Sequence, residues 1–349
     1  MKRTENVYKE LYQRLMQQKT GGKNILAAVV DGPCAGEKIY LSGGEVLWAS
    51  REGSMLANMK ERLENLSGCG LFESEGGRIF YEEAGGRPVL VICGAGHVSI
   101  PIIRLGKSIG FYVIVLEDRE SFSENARLAG ADQVLCKSFA AGMEEIHGTK
   151  DTYFVIVTRG HRYDTTCLNL ALKKEHAYVG MMGSRRRVEI VKEQLLKKGA
   201  DRKVLERVYT PIGLPIGAES PEEIAVSVMA EIIQVKNGAG RSEGYTEGVL
   251  ACLAGEQRES REKVLAVIIS RKGSAPRKAG TKMLILEDGS CVGTIGGGYA
   301  EEEIKRAGLR MIKEKESRRE LTTVRMTGQE AEEMGLVCGG TIEVYLEKI

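Results

Sequence analysis

Three consecutive glycines, Gly296, Gly297 and Gly298, stand directly before a cluster of glutamates in the stretch TIGGGYAEEEI. Glycine loses more conformational entropy on folding than any other residue, so a run of three indicates that something must approach the backbone closely. Glu301–Glu303 fall in the first turn of the following predicted helix, where carboxylates also stabilise the helix dipole.

A cysteine and an arginine in the same part of the chain could belong to this site. Cys338 precedes two glycines in LVCGGT, and Arg277 lies in the long loop RKGSAPRKAGTKM. A thiol near basic groups is favoured as a thiolate, which binds a soft metal or carries sulfur, while a guanidinium binds phosphate. The alternatives stay open: Cys338 as a buried inert thiol, and the loop as a plain hairpin connection.

The stretch GAGHVS, from Gly94 to Ser99, predicts a second site for a nucleotide or similar phosphate. It lies between a predicted buried strand and a predicted helix, where Gly94, Gly96 and His97 would bring a pyrophosphate to the helix N-terminus. Glu117 follows Gly96 by 21 residues, close to the usual position of an acidic residue that binds a ribose hydroxyl. Ser99 replaces the third glycine of the fingerprint, and a vestigial phosphate site remains the alternative.

Two further motifs follow predicted strands and therefore fall at the edge where parallel sheets bind ligands. In TRGHRYD, His161 could act as an acid–base group because imidazole titrates near neutrality, whereas Asp164 is interpreted as the N-cap of the next helix. In GSRRR, Arg185 is the best-placed phosphate ligand because it lies nearest the turn. Three successive arginines on a helix cannot all face one ligand.

The elements that would position these residues form three segments. From Arg87 onward, short apolar runs alternate with helical patterns, which predicts an α/β fold with a Rossmann-like parallel sheet covered on both faces. Ser220 and Glu223 form a predicted capping box at the start of the helix that closes this segment at Gly238. The predicted segments are 1–86, 87–238 and 239–349.

The two outer segments are degenerate copies of each other. The stretch from Asn24 aligns with the stretch from Lys263: an apolar strand, a loop, Ala-Gly-x-Lys, a hairpin at glycine and a closing strand follow in the same order. Only the second copy keeps GSAPR, GGG and CGG, so we expect the chemistry there and expect the first copy to complete a shared sheet. Deletion of residues 1–80 is therefore predicted to expose apolar surface.

Composition argues against several classes of protein. The 349 residues contain 50 Lys and Arg against 48 Asp and Glu, without a basic block, which argues against a nucleic-acid partner. No apolar run approaches the roughly 18 residues of a membrane span, and the first residues lack an apolar signal region, which predicts a cytoplasmic protein. Eight scattered cysteines without a C-x-x-C predict reduced thiols, and four histidines without i, i+4 spacing argue against a dedicated zinc site.

Together these motifs resemble the XdhC/CoxI family, the accessory factors of xanthine dehydrogenase and related molybdenum hydroxylases. The resemblance covers about 88–233, through CGAGHV, RGHRYD and GMMGSRRR, and about 263–348, through GSAPRKAGTKM, GTIGGG and CGGTIEV. It implies a Rossmann-like sheet flanked by two related α+β segments, the N-terminal degenerate repeat and a C-terminal CoxI-type domain. The family's typical chain has the CoxI-type domain first, and Tyr299 stands where the family usually has a cysteine.

The resemblance implies a maturation factor that binds the molybdenum cofactor (molybdopterin), supports its sulfuration and inserts it into an apo-hydroxylase. The implied partners are that apo-enzyme and a cysteine desulfurase, and the implied assembly is a homo-oligomer. In this role Cys338 would bind metal or sulfur, while Arg277 and Gly296–Gly298 would hold the pterin. An NAD(P)-dependent oxidoreductase, based on Gly94–Ser99 with Glu117, and a non-catalytic adaptor stay open. Whether the protein turns over a substrate also stays open.

Overall fold

The computed structural model describes residues 2–16, 23–84, 87–238, 244–255, 262–275, 277–314, 317–326 and 339–349, except for the side chains of residues 2–7 and of His161. The chain forms two compact units: residues 1–85 and 240–349 make up one, and residues 86–239 make up the other. The first and third predicted segments therefore pack together. Among the described helices, none is long and apolar enough to cross a membrane.

The first copy, in residues 1–85, is an antiparallel sheet with three helices. Its elements are α1 (Lys2–Met16), β1 (Asn24–Val29), β2 (Lys38–Ser42), β3 (Glu45–Ala49), α2 (Met55–Asn58), α3 (Lys60–Glu64), β4 (Cys69–Ser74) and β5 (Gly77–Glu83). The sheet order is β3-β2-β1-β5-β4. Strict alternation along β1 sends Ile25 and Ala27 to one face and Leu26 to the other, so both faces of the sheet are apolar.

Residues 86–239 form the predicted Rossmann-like unit. Its elements are β6 (Val89–Cys93), α4 (Ser99–Ser108), β7 (Tyr112–Glu117), α5 (Glu120–Leu128), β8 (Gln133–Cys136), α6 (Phe139–Glu145), β9 (Thr152–Ile156), α7 (His161–Ala171), β10 (Tyr178–Met181), α8 (Arg185–Lys197), α9 (Arg202–Glu206) and α10 (Pro221–Gly238). The strands pair in parallel in the order β10-β9-β6-β7-β8, with an apolar core on each face. This confirms the predicted α/β fold.

The predicted capping box at α10 is also present. The Ser220 hydroxyl accepts a hydrogen bond from the backbone N–H of Glu223 at 3.3 Å, and the Glu223 carboxylate accepts from the N–H of Ser220 at 3.1 Å. Each side chain thus satisfies a backbone donor that has no partner inside the helix. The helix ends at Gly238.

The second copy, in residues 240–349, repeats the architecture of the first. Its elements are α11 (Glu247–Ala254), β11 (Lys263–Lys272), β12 (Lys282–Leu286), β13 (Cys291–Gly293), α12 (Gly298–Lys313), β14 (Arg319–Arg325) and β15 (Thr341–Lys348). The sheet order β13-β12-β11-β15-β14 is the order of the first copy, strand for strand. The repeat predicted from sequence is therefore a structural duplication.

The two copies do not complete one shared sheet, contrary to the expectation from sequence. Their described strands form two separate five-stranded sheets that bury apolar side chains in one common core. Leu26 and Phe80 of the first copy meet Leu265 and Tyr345 of the second copy there, beside residues of α1 and α11. Each sheet has an apolar face that its own helices leave uncovered, so the faces cover one another.

Two buried ion pairs join the copies reciprocally. The Lys38 ammonium pairs with Glu347, and the equivalent Lys282 ammonium pairs with Glu82 at 2.6 Å. Burial is the largest single effect and lowers the pKa of Lys38, but the Glu347 carboxylate together with Tyr12, Tyr8 and Tyr345 raises it well above the usual value. Both lysines belong to the repeated Ala-Gly-x-Lys, so the sequence repeat marks the interface between the copies.

Candidate functional site

The motifs of the second copy leave its sheet at one edge. Lys272 at the end of β11 lies opposite Thr341 at the start of β15, and Gly293 at the end of β13 lies opposite Met283 near the start of β12. The loop carrying Arg277, the segment 294–298 and the glycines 339–340 therefore leave the sheet on the same side. We call these three segments the glycine edge.

The glycine triplet adopts a backbone that other residues rarely adopt. The φ angles are 125° at Gly296, 75° at Gly297 and 64° at Gly298. A Cβ atom built on Gly297 would meet no heavy atom of the described residues within 4 Å, and Gly297 is exposed among them. Close strand–helix packing among the described residues therefore does not account for Gly297. Gly297 is also the N-cap residue of α12, and because it has no side chain it forms no capping hydrogen bond.

Glu301 holds the loop in this shape. Its carboxylate accepts hydrogen bonds from the Thr294 hydroxyl, from the Ile295 N–H at 3.2 Å and from the Gly297 N–H at 3.0 Å. Glu301 lies in the first turn of α12, as predicted. Its carboxylate binds the loop that precedes the helix, so it stabilises both the loop and the helix start.

The two glycines that follow Cys338 have a packing role. A Cβ on Gly340 would overlap the carbonyl oxygen of Ser274, and a Cβ on Gly273 would lie 2.8 Å from the carbonyl oxygen of Gly339. The two loops of the glycine edge are thus in backbone contact, which only glycine permits at this separation. The start of the loop that carries Arg277 therefore lies against the two glycines that precede β15.

The first copy has the same glycine contact, which the sequence pattern alone did not reveal. A Cβ on Gly32 would lie 2.7 Å from the Cα of Gly77. Gly76–Gly77 precede the closing strand β5 just as Gly339–Gly340 precede β15, so GGRIF and GGTIE are the signal that could have been recognised. Glu75 occupies the position of Cys338, so the cysteine is what distinguishes this motif in the second copy.

Some predicted site residues lie outside the described part of the molecule. Cys338 and the side chain of His161 belong to this group. Arg277 is described and is half-buried in its loop. Among the described residues, no group of three or more His, Cys, Asp or Glu side chains could hold a metal ion. Metal binding by Cys338 stays a prediction.

The loop GAGHVS forms a tight turn between β6 and α4. Gly94 has a φ of 111°, and a Cβ there would lie 2.6 Å from the carbonyl oxygen of Val157. A Cβ on Gly96 would meet no heavy atom within 4 Å, and His97 is exposed. The Ser99 hydroxyl donates to the Gly94 carbonyl at 2.7 Å, so this serine closes the turn where the fingerprint has a glycine. The loop leaves room for a phosphate at Gly96.

Glu117 is already engaged by the protein. Its carboxylate is 1% exposed and accepts hydrogen bonds from the Ala95 N–H at 2.9 Å and from Arg119 Nε at 2.8 Å. The neighbouring Asp118 pairs with Arg159, whose hydrogen bonds lower the pKa of Asp118. Glu117 therefore supports the GAGHVS loop, and contact with a ribose hydroxyl stays a prediction.

The interpretation of Asp164 as an N-cap is wrong. Helix α7 begins three residues earlier, at His161, with Gly160 as its N-cap. Asp164 is fully buried and accepts from the Thr158 hydroxyl and from Arg187 Nε, both at 2.6 Å. A buried carboxylate requires such partners, because an unpaired charge is costly to bury. Asp164 is thus a fixed part of the edge at which the parallel strands end.

The arginines of GSRRR separate into two kinds. Arg187 faces inward: besides Asp164, it donates to the carbonyl oxygen of Thr158 at 3.1 Å. Arg185 and Arg186 are exposed at the start of α8, and Ser184 caps this helix. Arg185 is therefore accessible to a ligand, as its prediction requires. The structural role of Arg187 was not recognised, because its partner is 23 residues away in the sequence.

Comparison with protein families gives two matches in this chain. Residues 90–232 match the XdhC Rossmann domain, and residues 257–325 match the XdhC and CoxI family. The Rossmann domain thus precedes the CoxI-type domain, in the order deduced from the motifs.

Two curated proteins are similar to part of this chain. The uncharacterized protein YqeB of Escherichia coli is 36% identical over 162 residues, which are 46% of this chain and 30% of YqeB. A probable xanthine dehydrogenase subunit of Bacillus subtilis is 32% identical over 158 residues, which are 45% of this chain and 46% of that protein. The chain therefore matches less than half the length of each relative.

A solved structure shares the fold. The crystal structure of a xanthine dehydrogenase from Bacillus halodurans superposes with a TM-score of 0.50 at 22% sequence identity, covering 62% of this chain and 61% of that one. At this identity the similarity concerns the fold alone.

Proposed function

Because residues 90–232 match the XdhC Rossmann domain and residues 257–325 match the XdhC and CoxI family, we propose that this chain is an accessory protein of a xanthine dehydrogenase-type molybdenum hydroxylase. In this proposal it binds the molybdenum cofactor, supports sulfuration by a separate cysteine desulfurase and inserts the cofactor into the apo-enzyme. The observation that carries the proposal is the glycine edge, where a glycine triplet that is exposed at Gly297 leaves the sheet beside the loop of Arg277.

The described residues of the glycine edge fit a phosphorylated pterin. A Cβ on Gly297 would meet none of the described residues within 4 Å, which leaves the backbone there accessible to a ligand. The first N–H groups of α12 have no acceptor within the helix and can donate to a phosphate. Arg277 supplies a guanidinium on a neighbouring loop. When bound, the cofactor supplies the molybdenum that the hydroxylase needs for its reaction.

Each residue of this chain then has a defined task. Glu301 fixes the loop that presents the glycines, through its three hydrogen bonds. Arg277 orients the phosphate, and Cys338 provides the thiolate for metal or sulfur. Tyr299 is partly buried against the core of the second copy. With tyrosine at this position, the proposal assigns the sulfur chemistry on this chain to Cys338.

The test is cofactor retention after anaerobic co-expression with the cofactor biosynthesis proteins, followed by molybdenum and pterin analysis. Cys338→Ala should lower the molybdenum content, Arg277→Ala should lower the pterin content, and Gly297→Val should lower both. Tyr299→Cys should increase molybdenum or sulfur binding.

Two control variants separate binding from folding. Gly289→Val introduces the same kind of backbone strain as Gly297→Val, since φ is 80° there, but it lies in the hairpin between β12 and β13, away from the glycine edge. Cys291→Ala removes a half-buried thiol of the same copy and is the control for Cys338→Ala. If the cofactor content is the same in all four test variants as in the wild type, the proposed site is contradicted.

A nicotinamide-dependent oxidoreductase is the second candidate function, favoured by the open space at Gly96 in a Rossmann fold. Titration calorimetry with NAD, NADP, nucleotides and molybdopterin tests this site. Gly96→Val should abolish binding without lowering stability, because its side chain would enter empty space. Gly94→Val should instead unfold the turn, because a Cβ at Gly94 meets the Val157 carbonyl. Absence of binding by every ligand would mark the site as vestigial.

A further inference from the structure

The first copy shows what occupies the place that corresponds to the glycine edge. Glu37 directly precedes β2, and Thr281 directly precedes β12. The backbone pairs identically at both positions: the Val29 N–H donates to the Glu37 carbonyl at 2.8 Å, and the Ile268 N–H donates to the Thr281 carbonyl at 3.0 Å. Glu37 and Thr281 are therefore structurally equivalent.

In the first copy, a carboxylate lies on the start of the helix. Glu37 Oε2 accepts from the Ser54 hydroxyl at 2.8 Å and from the Met55 N–H at 2.9 Å, and Arg51 forms an ion pair with the same side chain. The Glu37 side chain is only 4% exposed. The chain thus binds one of its own anions at this position, with a backbone N–H as a donor.

Among the described residues of the second copy, no carboxylate is hydrogen-bonded to the N–H of the residue equivalent to Met55; Glu301 binds the N–H of Gly297 instead. Counting from Lys38 and from Lys282 without a gap, the residue equivalent to Met55 is Tyr299, in the first turn of α12. The side chain of Thr281 is shorter than that of Glu37 and carries no charge, and its hydroxyl donates to the Lys278 carbonyl at 2.7 Å. The Glu301 carboxylate is held by Thr294, Ile295 and Gly297, in the loop before the helix.

The charges of the two loops also differ in sign. Residues 271–281 contain four basic residues and no acidic one: Arg271, Lys272, Arg277 and Lys278. Residues 30–37 of the first copy contain Asp31 and Glu37 and no lysine or arginine. A cluster of positive charge beside a helix N-terminus attracts an anion, whereas the first copy already carries its own.

We propose that the glycine edge binds a phosphate-type anion at the start of α12, in the place that the Glu37 carboxylate occupies in the first copy. Thr281 is the residue that keeps this place open, and the first copy is the same site closed by its own side chain. One chain therefore binds one such ligand in this unit. The identification of this anion with the phosphate of the molybdenum cofactor rests on the proposed function, whereas the anion site rests on the contacts above.

The decisive variant is Thr281→Glu, measured with inorganic pyrophosphate by titration calorimetry. All proteins carry Gly96→Val, which should prevent phosphate binding at the GAGHVS loop. A glutamate at position 281 starts from the backbone position of Glu37 and should reach the N–H of Tyr299. We expect pyrophosphate affinity to fall at least about tenfold. Thr281→Gln has the same length without the charge and should lose less affinity, and Glu37→Gln should leave the affinity unchanged.

A second variant guards against a folding defect, because Thr281 is buried. Arg271 and Lys272 are exposed, so Arg271→Gln with Lys272→Gln should leave the fold intact and weaken pyrophosphate binding several-fold. Arg306→Gln, which removes an exposed charge on the solvent side of α12, is the matched control and should have no effect. Circular dichroism checks that each variant is folded.

The outcomes distinguish this proposal from the function proposed above. Unchanged pyrophosphate affinity in folded Thr281→Glu and in the double variant would overturn the anion site, whatever the cofactor content of the wild type. Loss of pyrophosphate binding in both variants supports the site, even if wild-type protein retains no molybdenum after co-expression. In that case the anion site stands and the cofactor proposal fails.

Discussion

The two copies in residues 1–85 and 240–349 have the same interior and different edges. Their sheets have the same strand order, and the ion pairs Lys38–Glu347 and Lys282–Glu82 are reciprocal across the common core. The edges differ: in the first copy the Glu37 carboxylate binds the start of α2, whereas the second copy has a glycine triplet and a basic loop near the start of α12. The inner face of each copy packs against the inner face of the other, so a substitution in one inner face disturbs both copies. An edge that faces solvent or a ligand can be substituted without this effect.

Deletion of residues 1–80 should have the largest effect. It removes the apolar face that covers Leu265, Val267 and Leu284 of the second copy, and those side chains would then face water. We expect aggregation in size-exclusion chromatography. A soluble truncated protein that melts cooperatively would show that the second copy does not need the first.

Lys282→Met should be the most destabilising single substitution in the interface. It leaves the buried Glu82 without its ammonium partner, which costs about 3–5 kcal/mol in urea unfolding. Lys38→Met should cost less, because Arg319 Nε remains 3.2 Å from Glu347. Replacing both Lys282 and Glu82 by Met should restore most of the stability. Equal losses for both lysine variants would contradict the role of Arg319.

The pH dependence of the Lys38 pair has a definite sign. The pKa of Lys38 is raised in the folded protein, so its contribution to stability is complete below the ordinary lysine value of about 10.4. The contribution should disappear only as the pH rises through the folded value. The stability difference between wild type and Lys38→Met should therefore stay constant from neutral pH to about 10. A difference that already shrinks near neutral pH would contradict the ion pair.

The backbone contact between glycine-containing loops should contribute to stability in both copies. Gly340→Ala forces apart two backbone segments and should cost about 1–3 kcal/mol in urea unfolding. It should also weaken pyrophosphate binding, because it displaces the loop of Arg277. Gly77→Ala should cost more, since φ is 122° there, and should leave pyrophosphate binding unchanged. Gly238→Ala, with no atom within 4 Å of its Cβ, is the control.

The smallest expected loss of stability concerns two hydrogen bonds between the copies that are formed from equivalent positions. Cys69 Sγ donates to the Ala279 carbonyl at 3.4 Å, and Arg319 donates to the Ala35 carbonyl at 3.0 Å. Cys69→Ala removes a weak neutral hydrogen bond and should cost below about 1 kcal/mol in urea unfolding. Burial raises the pKa of the Cys69 thiol, so iodoacetamide should modify it slowly at neutral pH. Rapid modification would place this thiol in solvent.

Local patterns in the sequence determined much of this structure. The alternation of apolar runs and helical periods predicted the parallel sheet, and Ser220 with Glu223 predicted the start of α10. The repeat was recognisable because both copies keep the same order of strands. The glycine triplet was recognisable as a special backbone, since positive φ angles at three successive residues require glycine. Each of these signals lies within a few residues or one element.

Only the tertiary structure decided which faces and charges meet. The sequence did not distinguish one shared sheet from two sheets with a common core. Apolar alternation indicates that one face of a strand is buried, but it does not indicate which element covers that face. It also assigned Asp164 to a cap, whereas its partner is Arg187. The partners of Lys38 and Lys282 lie 309 and 200 residues away in the chain. Such pairs form only when long-range packing brings two elements together, so local pattern cannot specify them.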